Sequence, residues 1–267
     1  MSGVISLTYS KVKTFLSCRK AYWLDYESGL PRPPETDTIG GMIGTGVHRA
    51  LARLCDTGDP AHGASELDAY LRMPSHEAVG PGTEYHDLAF ELYQRGVAAH
   101  QSIESEDRWA ELQGQALAHS RGIRLWAKID RVDRLPGGHW QVIDWKTGRF
   151  DVGEETDAQL DIYHVILRTV RRLPAEAEVT AVGWNLRTGE KRVRSLTRAD
   201  AAATVSYLSG LARRIQSVAE FEAMPGPACG FCRWRPQCPE SAEADAFAEA
   251  LFGYDAEPED TPPAGEP

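Results

Sequence analysis

Two aspartates and a lysine in the middle of the chain have types and spacing that suit the hydrolysis of a phosphodiester. Strand alternation over 140–146 places Asp144 and Lys146 on one face, and Asp130 lies on the preceding predicted strand. A tight turn between the two strands would bring both aspartates opposite each other. Their carboxylates could bind Mg²⁺ or Mn²⁺, while the lysine orients water or neutralises charge. An exposed hairpin with cross-strand ion pairs is the alternative interpretation.

Five cysteines raise a second chemical question. Cys229, Cys232 and Cys238 are closely spaced, which in a cytoplasmic chain is more typical of a metal site than of disulfides. A fourth ligand would come from Cys18 or Cys55. A structural zinc site usually has two local pairs of ligands, whereas a [4Fe-4S] cluster accepts one remote cysteine. The spacing alone leaves both metals open.

The composition is that of a globular protein, and its charge is unevenly distributed. The 267 residues have a net charge of −10, but residues 236–267 contain no Lys or Arg. Nine of the 39 acidic residues lie in that segment, so the net charge does not exclude nucleic acid as a partner. The last stretch is predicted to be disordered. Because no apolar run or signal peptide pattern occurs, we expect a cytoplasmic protein without a membrane partner.

Helical and strand periods alternate along the chain and predict the elements that must position these residues. Helices are expected over 8–26, 42–56, 84–101, 157–172 and 198–221, and strands over 109–118, 123–135, 140–146, 179–186 and 191–196. Residues 60–83 are expected to be rich in loops with one short helix. This order favours an α/β fold with a mixed central sheet.

Three segments together resemble the RecB-like branch of the PD-(D/E)XK nuclease superfamily, which includes CRISPR-associated adaptation nucleases. They are Gly44-Thr45-Gly46-Val47-His48, the hairpin with Asp130 and Asp144-Trp145-Lys146, and Gln159-Leu160-Asp161-Ile162-Tyr163. The resemblance covers about residues 6–240. It implies a restriction-endonuclease-like core, in which a mixed β-sheet is flanked by helices.

The resemblance also implies roles for individual residues. Asp130 and Asp144 would bind the metal with His48 as a further ligand, and Lys146 would be the catalytic lysine. The helical pair Gln159 and Tyr163 would contact DNA or support the metal site. Without the family order, His48 would be read as an ordinary helix histidine, and the pair as helix surface and core edge.

Two further positions bear on the resemblance. The family often has Gly three residues before the first aspartate, and Ala127 stands there in this chain. Glu111 resembles an acidic position that supplies a metal ligand in some members, although a solvated strand residue is an equal alternative.

A subset of RecB-like nucleases is similar to this chain in its cysteines, with one in the first helix and three near the C-terminus. The four matching positions are Cys18, Cys229, Cys232 and Cys238. This resemblance implies a structural [4Fe-4S] cluster that staples the N-terminal and C-terminal segments together. Arg19 departs from the Pro that members often have, and Cys55 is interpreted as a small buried side chain.

The resemblance implies a Mg²⁺- or Mn²⁺-dependent DNA exonuclease that acts on single strands or ends. We expect a nuclease domain over 1–240, with a helical insertion at about 56–105 and a cysteine cluster at 229–238, followed by an acidic tail over 241–267. DNA repair or recombination, CRISPR-type adaptation and phage DNA metabolism are the candidate pathways. No phosphate-binding loop of a motor protein occurs in the sequence, so a helicase or another DNA-processing protein would be a partner.

Two alternatives belong to other functional classes. One is a noncatalytic DNA-binding subunit of a larger nuclease-helicase or adaptation complex, and the other is a binding domain stapled by zinc. Basic side chains that could follow DNA phosphates cluster in the second half of the chain, where helix-end charges and surface ion pairs are the alternative interpretation. They are Arg168, Arg171, Arg172, Arg187, Lys191, Arg192, Arg194, Arg198, Arg213 and Arg214.

Overall fold

The structure is a computed structural model that describes residues 4–33, 38–149 and 153–241. The chain divides into two compact units. Unit 1 consists of Met1–Tyr9 and Ile39–Arg213, and unit 2 consists of Ser10–Thr38 and Arg214–Pro267. The predicted acidic tail lies outside the described residues except for Ser241.

Six strands form one mixed sheet in unit 1. They are β1 (Ile5–Leu7), β2 (Asp107–Ala118), β3 (Ile123–Arg134), β4 (Trp140–Lys146), β5 (Val179–Asn185) and β6 (Lys191–Leu196). The five predicted strands are confirmed to within two residues at each end. The strand β1 was not predicted, because three residues are too few to show an alternating pattern.

Antiparallel and parallel pairs alternate across this sheet. The long strand β3 pairs antiparallel with β2 along one edge, while its other edge pairs with β1 in parallel and with β4 antiparallel. Beyond β4, β5 is parallel and β6 antiparallel to its neighbour. The α/β fold with a mixed central sheet is therefore confirmed.

The helices are α1 (Tyr9–Ser17), α2 (Arg19–Tyr26), α3 (Ile39–Thr57), α4 (Pro60–Leu71), α5 (Glu84–Gln101), α6 (Glu154–Val170) and α7 (Arg198–Ser217). None of the helices in the described part of the chain is long and apolar enough to cross a membrane. The helices predicted over 42–56, 84–101, 157–172 and 198–221 are confirmed in type, with ends shifted by up to four residues.

One predicted helix was wrong, and the one short helix expected within 60–83 is longer than the prediction implied. The single helix predicted over 8–26 is interrupted at Cys18, which is extended at φ −158° and ψ 117° and is the N-cap residue of α2. The region predicted to be rich in loops contains the twelve-residue helix α4. Asp59 caps α4 by accepting a hydrogen bond from Ala61 N, and Pro60 occupies its first turn. The sequence Gly-Asp-Pro therefore begins a helix here in addition to ending α3.

One core of unit 1 lies between the helices α3, α4 and α5 and one face of the sheet. Ile143 and Trp145 of β4 and Val182 of β5 join the buried apolar side chains of these helices. Helix α6 packs against the strands on its own side, where Gly114 allows the side chains of Ile166 and Val170 to approach β2 closely. The helices α3 and α6 therefore each bring side chains to β3 and β4.

Candidate active site and metal centres

The hairpin of β3 and β4 brings the two aspartates together. Arg131 pairs with Ile143 in the antiparallel register, which places Asp130 across from Asp144 one step further along. The Trp145 backbone N–H donates a hydrogen bond of 2.9 Å to Asp130 Oδ2. The turn before β4 needs two residues at positive φ, and glycines at 137 and 138 supply them.

Three side chains surround the carboxylate of Asp144, which is almost fully buried. Lys146 Nζ lies 2.7 Å from Asp144 Oδ2. On α6, Gln159 Nε2 donates 2.9 Å to Asp144 Oδ1, and the Tyr163 hydroxyl donates 3.3 Å to the same oxygen. Gln159 Oε1 also accepts from Lys146 Nζ at 2.8 Å, so one amide side chain connects the aspartate with the lysine.

The helical pair predicted from the sequence supports this carboxylate. Gln159 and Tyr163 are one helical turn apart, and Gln159 Nε2 donates to the Tyr163 hydroxyl at 2.7 Å. Tyr163 is 5% exposed. Burial leaves almost no surface of the tyrosine for DNA, so its position favours the second of its two predicted roles, the support of Asp144.

His48 reaches the site from α3. Its Nδ1 lies 3.3 Å from Asp130 Oδ1, and its side chain is about one third exposed. The glycines before it make this approach possible. A methyl group at Gly44 would lie 3.0 Å from Thr147 Oγ1, directly after β4, and one at Gly46 would press on Leu67 and Tyr70 of α4. The motif Gly-Thr-Gly-Val-His therefore fits α3 closely between the sheet and α4.

Burial and neighbouring charges shift the pKa values of Asp144, His48 and Asp130. Burial raises the pKa of Asp144 to about 6, and the negative charge of Asp130 adds to this effect against the attraction of Lys146 and His48. Burial opposes the charged form of His48, but the carboxylate of Asp130 outweighs it and raises the pKa of His48 to about 9. The same ion pair lowers the pKa of Asp130 despite its burial.

Glu111 stands across β3 from the same site. It lies between Ala110, which pairs with Arg131, and Leu112, which pairs with Ile129, so it is opposite Asp130. Its backbone has φ of 51°, a conformation uncommon outside glycine, and its carboxylate forms an ion pair with Lys128. Its position is therefore adjacent to the aspartates, while its side chain is paired at the surface.

The donor set suits a hard divalent cation. Asp144 Oδ2 is buried and has the Lys146 ammonium 2.7 Å away, while both hydrogen bonds from α6 go to Oδ1. A carboxylate oxygen can bind a metal ion in addition to such an ion pair. Asp130 Oδ1 and His48 Nδ1 are paired with each other at 3.3 Å and would become further metal ligands once His48 loses its proton. No group of three or more His, Cys, Asp and Glu side chains in the described ranges already has the geometry of a metal site. The chemistry of the donors therefore fits a metal, although they do not form a ready cage.

Four thiols belong to unit 2, where Cys18 begins α2 and the other three follow in 229–238. Cys18 Sγ accepts a hydrogen bond of 3.4 Å from the Met224 backbone N–H. Burial raises the pKa of Cys232, and the neighbouring thiols of Cys18 and Cys229 raise it further. The fourth thiol, that of Cys238, donates a hydrogen bond to the Glu240 carboxylate. The same carboxylate forms an ion pair with Lys20.

Further contacts within unit 2 join its first segment, which contains Cys18, to its second segment, which contains the other three cysteines. The Lys20 backbone N–H donates 3.1 Å to Glu222 O, and Trp234 Nε1 donates 2.9 Å to Asp25 Oδ1. All four thiols are partly exposed. Cys55 belongs to unit 1 and is buried, and burial raises the pKa of its thiol to about 11. Its burial agrees with the prediction of a small buried side chain.

Several of the predicted DNA-binding bases are engaged within the protein. Arg192 forms two hydrogen bonds with Asp157, and Arg194 lies 3.2 Å from the same carboxylate. Arg168 donates to His164 and to two backbone carbonyls, and Arg171 stacks on Trp109. Their charges are largely satisfied locally, as the alternative interpretation of surface ion pairs expected.

A mixed sheet that presents two aspartates and a lysine beside a helical histidine is the arrangement expected of a metal-dependent nuclease. The family model of the PD-(D/E)XK nuclease superfamily matches residues 6–239, and the chain belongs to this superfamily. A comparison with curated proteins found no match.

Two solved structures are similar to the chain. One is a protein from Eubacterium rectale, provisionally described as an exonuclease, with a TM-score of 0.53 and 14% identity over 95% of this chain and 94% of that chain. At this identity the likeness concerns the fold alone. The structure of SSO0001 gives a TM-score of 0.35 and 16% identity over 85% of this chain and 96% of that chain, and no argument rests on it.

Proposed function

We propose that the protein is a divalent-metal-dependent DNA exonuclease that acts on ends, with a preference for single strands. The observation that supports this most directly is that the buried Asp144, with Lys146 at 2.7 Å from its Oδ2, lies across from Asp130 on the neighbouring strand. An ion pair alone would need neither the second aspartate nor burial of the first, whereas a divalent metal site uses several oxygen ligands.

Each residue has a defined task in this proposal. Asp130, Asp144 and His48 would hold Mg²⁺ or Mn²⁺, which supplies a polarised phosphoryl oxygen and a more acidic water. Lys146, fixed by Gln159, places its ammonium where negative charge develops on the phosphate. Tyr163 and Gln159 hold Asp144 Oδ1, which would leave Oδ2 to Lys146 and the metal.

Degradation of end-labelled DNA tests the proposal. Single-stranded and double-stranded substrates, labelled at the 5′ or the 3′ end, are incubated with Mn²⁺ or Mg²⁺, and a circular single strand reports endonuclease activity. We expect wild type to shorten linear single strands, while Asp144→Asn and Lys146→Ala lower the rate by about 100-fold or more. Asp87→Asn, an exposed carboxylate on α5, is the matched control and should retain activity.

Two outcomes would reject the active site. Equal rates for wild type, Asp144→Asn and Lys146→Ala would show that other residues catalyse the reaction. DNA binding without degradation by wild type would instead favour the noncatalytic subunit of a larger complex. The position of the label that is released first reports the polarity.

We further propose that Cys18, Cys229, Cys232 and Cys238 bind a [4Fe-4S] cluster, as expected for the iron-sulfur branch of the RecB-like nucleases. Four thiols within one unit, with a backbone N–H directed at Cys18 Sγ, support this assignment. Protein purified without oxygen should be brown and absorb at about 400 nm. A colourless protein with one zinc ion per chain would favour the zinc-stapled alternative.

A further inference from the structure

Two neighbouring strands of unit 1 share a face that is exposed to solvent. On β3, Arg124, Trp126 and Lys128 are exposed, while the residues that alternate with them are buried. In the antiparallel register with β2, Gln115 lies directly across from Trp126. Gln113 lies across from Lys128 in the same way, and both glutamines are exposed. These five side chains form one continuous surface, the β2–β3 surface.

Trp126 differs from the other tryptophans of unit 1 in having no partner for its ring. Trp109 stacks on Trp140, and Trp145 packs against Trp184. The Trp126 side chain is 42% exposed, and within the described ranges it forms no ring contact, cation–π contact or hydrogen bond. A large ring left in water retains the free energy that contact with an apolar partner would release. Trp126 is therefore a candidate for contact with a ligand.

The segment that contains this surface has a charge opposite to that of the whole chain. Residues 112–129 contain Arg121, Arg124 and Lys128 but no Asp or Glu, whereas the net charge of the chain is −10. Arg121 and Arg124 are exposed, and neither forms an ion pair with any described residue. Lys128 is paired with Glu111. Two bases close to Trp126 in the chain are therefore available to an anionic partner.

The strand β3 leads from the β2–β3 surface to the proposed active site. Asp130 is four residues after Trp126, or about 13 Å along the strand. It is two residues after Lys128, and Glu111, the partner of that lysine, lies opposite Asp130. A polymer that reaches Asp130 along β3 would therefore pass over Trp126.

We propose that the β2–β3 surface binds the single-stranded DNA beyond the phosphate that is cleaved, with a base stacked on Trp126 and phosphates bound by Arg124 and Arg121. Stacking on an aromatic ring holds unpaired bases of any sequence, and the exposed amides of Gln113 and Gln115 are suited to hydrogen bonds with base edges. Bases in a duplex are already stacked on one another, so this surface favours single strands. The inference rests on the proposed nuclease function and gives its strand preference a physical basis.

Binding of a labelled oligonucleotide in the absence of divalent metal tests the surface independently of cleavage. Fluorescence anisotropy gives the Kd of wild type, Trp126→Leu, Trp126→Phe and Arg124→Gln for a single strand and for a duplex of the same length, over a range of salt concentrations. Val193→Ala is the control for the tryptophan, because Val193 is an exposed apolar side chain on β6, which β4 and β5 separate from β3. Arg53→Gln, at an exposed base on α3, is the control for Arg124.

We expect Trp126→Leu to weaken single-strand binding about tenfold, because leucine keeps an apolar side chain but removes the ring on which a base stacks. Trp126→Phe keeps a ring and should stay within about threefold of wild type. Neither variant should change the dependence of log Kd on log salt, whereas Arg124→Gln should lower that slope by about 0.7, since one phosphate contact is lost. Duplex binding should change less than about twofold in both tryptophan variants.

The outcomes separate the surface from the nuclease function. If wild type cleaves DNA and Trp126→Leu binds a single strand as tightly as Val193→Ala does, the surface is wrong while the nuclease function stands. If wild type binds with the expected dependence on Trp126 but does not cleave, the surface stands and the nuclease function fails. Equal losses of single-strand and duplex binding in Trp126→Leu would overturn base stacking.

A second copy of the chain is the other partner that an exposed strand face could receive. Sedimentation velocity of wild type and Trp126→Leu without DNA measures this, and a dimer that wild type forms and Trp126→Leu does not would overturn the proposal. If Trp126→Leu does not fold, the quenching of tryptophan fluorescence decides. A single strand should quench wild type more than Trp126→Phe, and equal quenching of the two would overturn the stacking on Trp126.

Discussion

The two oxygens of the Asp144 carboxylate have different surroundings, and this difference fixes the orientation of the carboxylate. Oδ1 accepts hydrogen bonds from Gln159 and Tyr163, whereas Oδ2 forms an ion pair with Lys146 at 2.7 Å. A buried carboxylate held by one oxygen cannot rotate without breaking two hydrogen bonds. The helix α6 therefore orients the group that the strand β4 supplies.

Gln159 should matter more for catalysis than Tyr163, because it contacts both Asp144 and Lys146. We expect Gln159→Leu to lower kcat about 10- to 100-fold, since it removes the contacts to both charged groups. Tyr163→Phe removes one donor and leaves Gln159 in place, so the loss should be about three- to tenfold. Steady-state rates on a single-stranded oligonucleotide measure both effects.

A variant elsewhere on the same helix controls for a general change in α6. The Thr169 hydroxyl donates to Val165 O one turn back, away from the site, and Thr169→Ala should keep the wild-type kcat. Equal losses in Gln159→Leu and Tyr163→Phe would contradict the bridging role of the glutamine.

Two buried histidines are held in their neutral form by arginines. His100 lies between the guanidinium groups of Arg108 and Arg131, and burial followed by these charges lowers its pKa from 6.5 to about 4. A neutral imidazole accepts at one nitrogen only, so only one of the two contacts is a hydrogen bond. Burial and the charge of Arg168 lower the pKa of His164 to about 4 in the same way.

These shifts predict a loss of stability in mild acid. Between pH 6.5 and 4 the unfolded chain binds protons at these histidines and the folded chain does not, so the free energy of unfolding falls as the pH falls. From pH 7 to pH 5 each histidine should contribute about 2 kcal/mol to this loss. Urea denaturation at the two pH values measures it.

His100→Gln should reduce the loss between pH 7 and pH 5 by about 2 kcal/mol relative to wild type. His62→Gln is the control, because His62 is more than half exposed. The same pH dependence in wild type and His100→Gln would show that His100 is not held neutral.

At the scale of elements, the site depends on how closely α3, α4 and α5 pack. Gly63 of α4 faces α3 and α5, where a methyl group would lie 2.7 Å from Ala50 O and closer still to the Tyr93 hydroxyl. A backbone atom cannot move aside as a flexible side chain can. This glycine therefore sets the distance of α4 from α3, the helix that presents His48.

Gly63→Ala should lower the free energy of unfolding by about 1–3 kcal/mol through overpacking. Gly210→Ala in α7 is the matched control, because the nearest atom to its added methyl group would be the end of the flexible Arg213 side chain at 3.9 Å. There the substitution should stabilise the helix by about 0.5–1 kcal/mol. Equal effects of both substitutions in urea denaturation would contradict the close packing of α4.

The alternation of apolar and polar residues, together with the turn residues, predicted most strands of the sheet. Such alternation is a local property of the sequence. The interruption at Cys18 could not be predicted in this way, since the residues on both sides continue a helical spacing and the break is visible only in the backbone at one position. The helix α4 could have been found from Asp59 and Pro60. Those residues lie just after α3 and satisfy the start of the next helix.

The site also has features that the sequence predicts and features that it does not. The register of Asp130 and Asp144 follows from a short hairpin, so the sequence was sufficient to predict it. Arg187, in the turn after β5, contacts Arg95 of α5 and Thr147 of the loop after β4, which are far apart in the chain. Arg95 gave no signal in the sequence, because a base on a helix surface is common. Only the tertiary structure places it there.

At the scale of the whole molecule, the two units differ in the cores that they can build. Unit 1 contains a six-stranded sheet with helices on it, whereas the described part of unit 2 has five buried apolar side chains: Val12, Phe15, Tyr22, Ile215 and Trp234. An edge-to-face contact of Phe15 with Tyr22 and a stacked contact of Tyr22 with Phe221 supply part of its contacts. So small a core needs an additional constraint to be stable, as small domains generally do.

A metal cluster bound by the four cysteines would provide that constraint by closing the long loop between Cys18 and Cys229. We therefore expect Cys18→Ser to lose the brown colour and to lower the free energy of unfolding of unit 2 by about 3–5 kcal/mol, with unit 1 less affected. Calorimetry of protein purified without oxygen should then show a separate, earlier transition in this variant.

Cys55→Ser is the matched control, because Cys55 is a buried thiol of unit 1. It should keep the iron content and the stability of unit 2, and any destabilisation should fall on unit 1. Exchange of backbone amide hydrogens assigns each loss to a unit, with Tyr22 and Trp234 reporting on unit 2. If Cys18→Ser leaves exchange in unit 2 unchanged while iron is absent, the contacts of Lys20 with Glu240 and of Trp234 with Asp25 are sufficient to hold the segments together. The cluster would then not have the stabilising role argued for it.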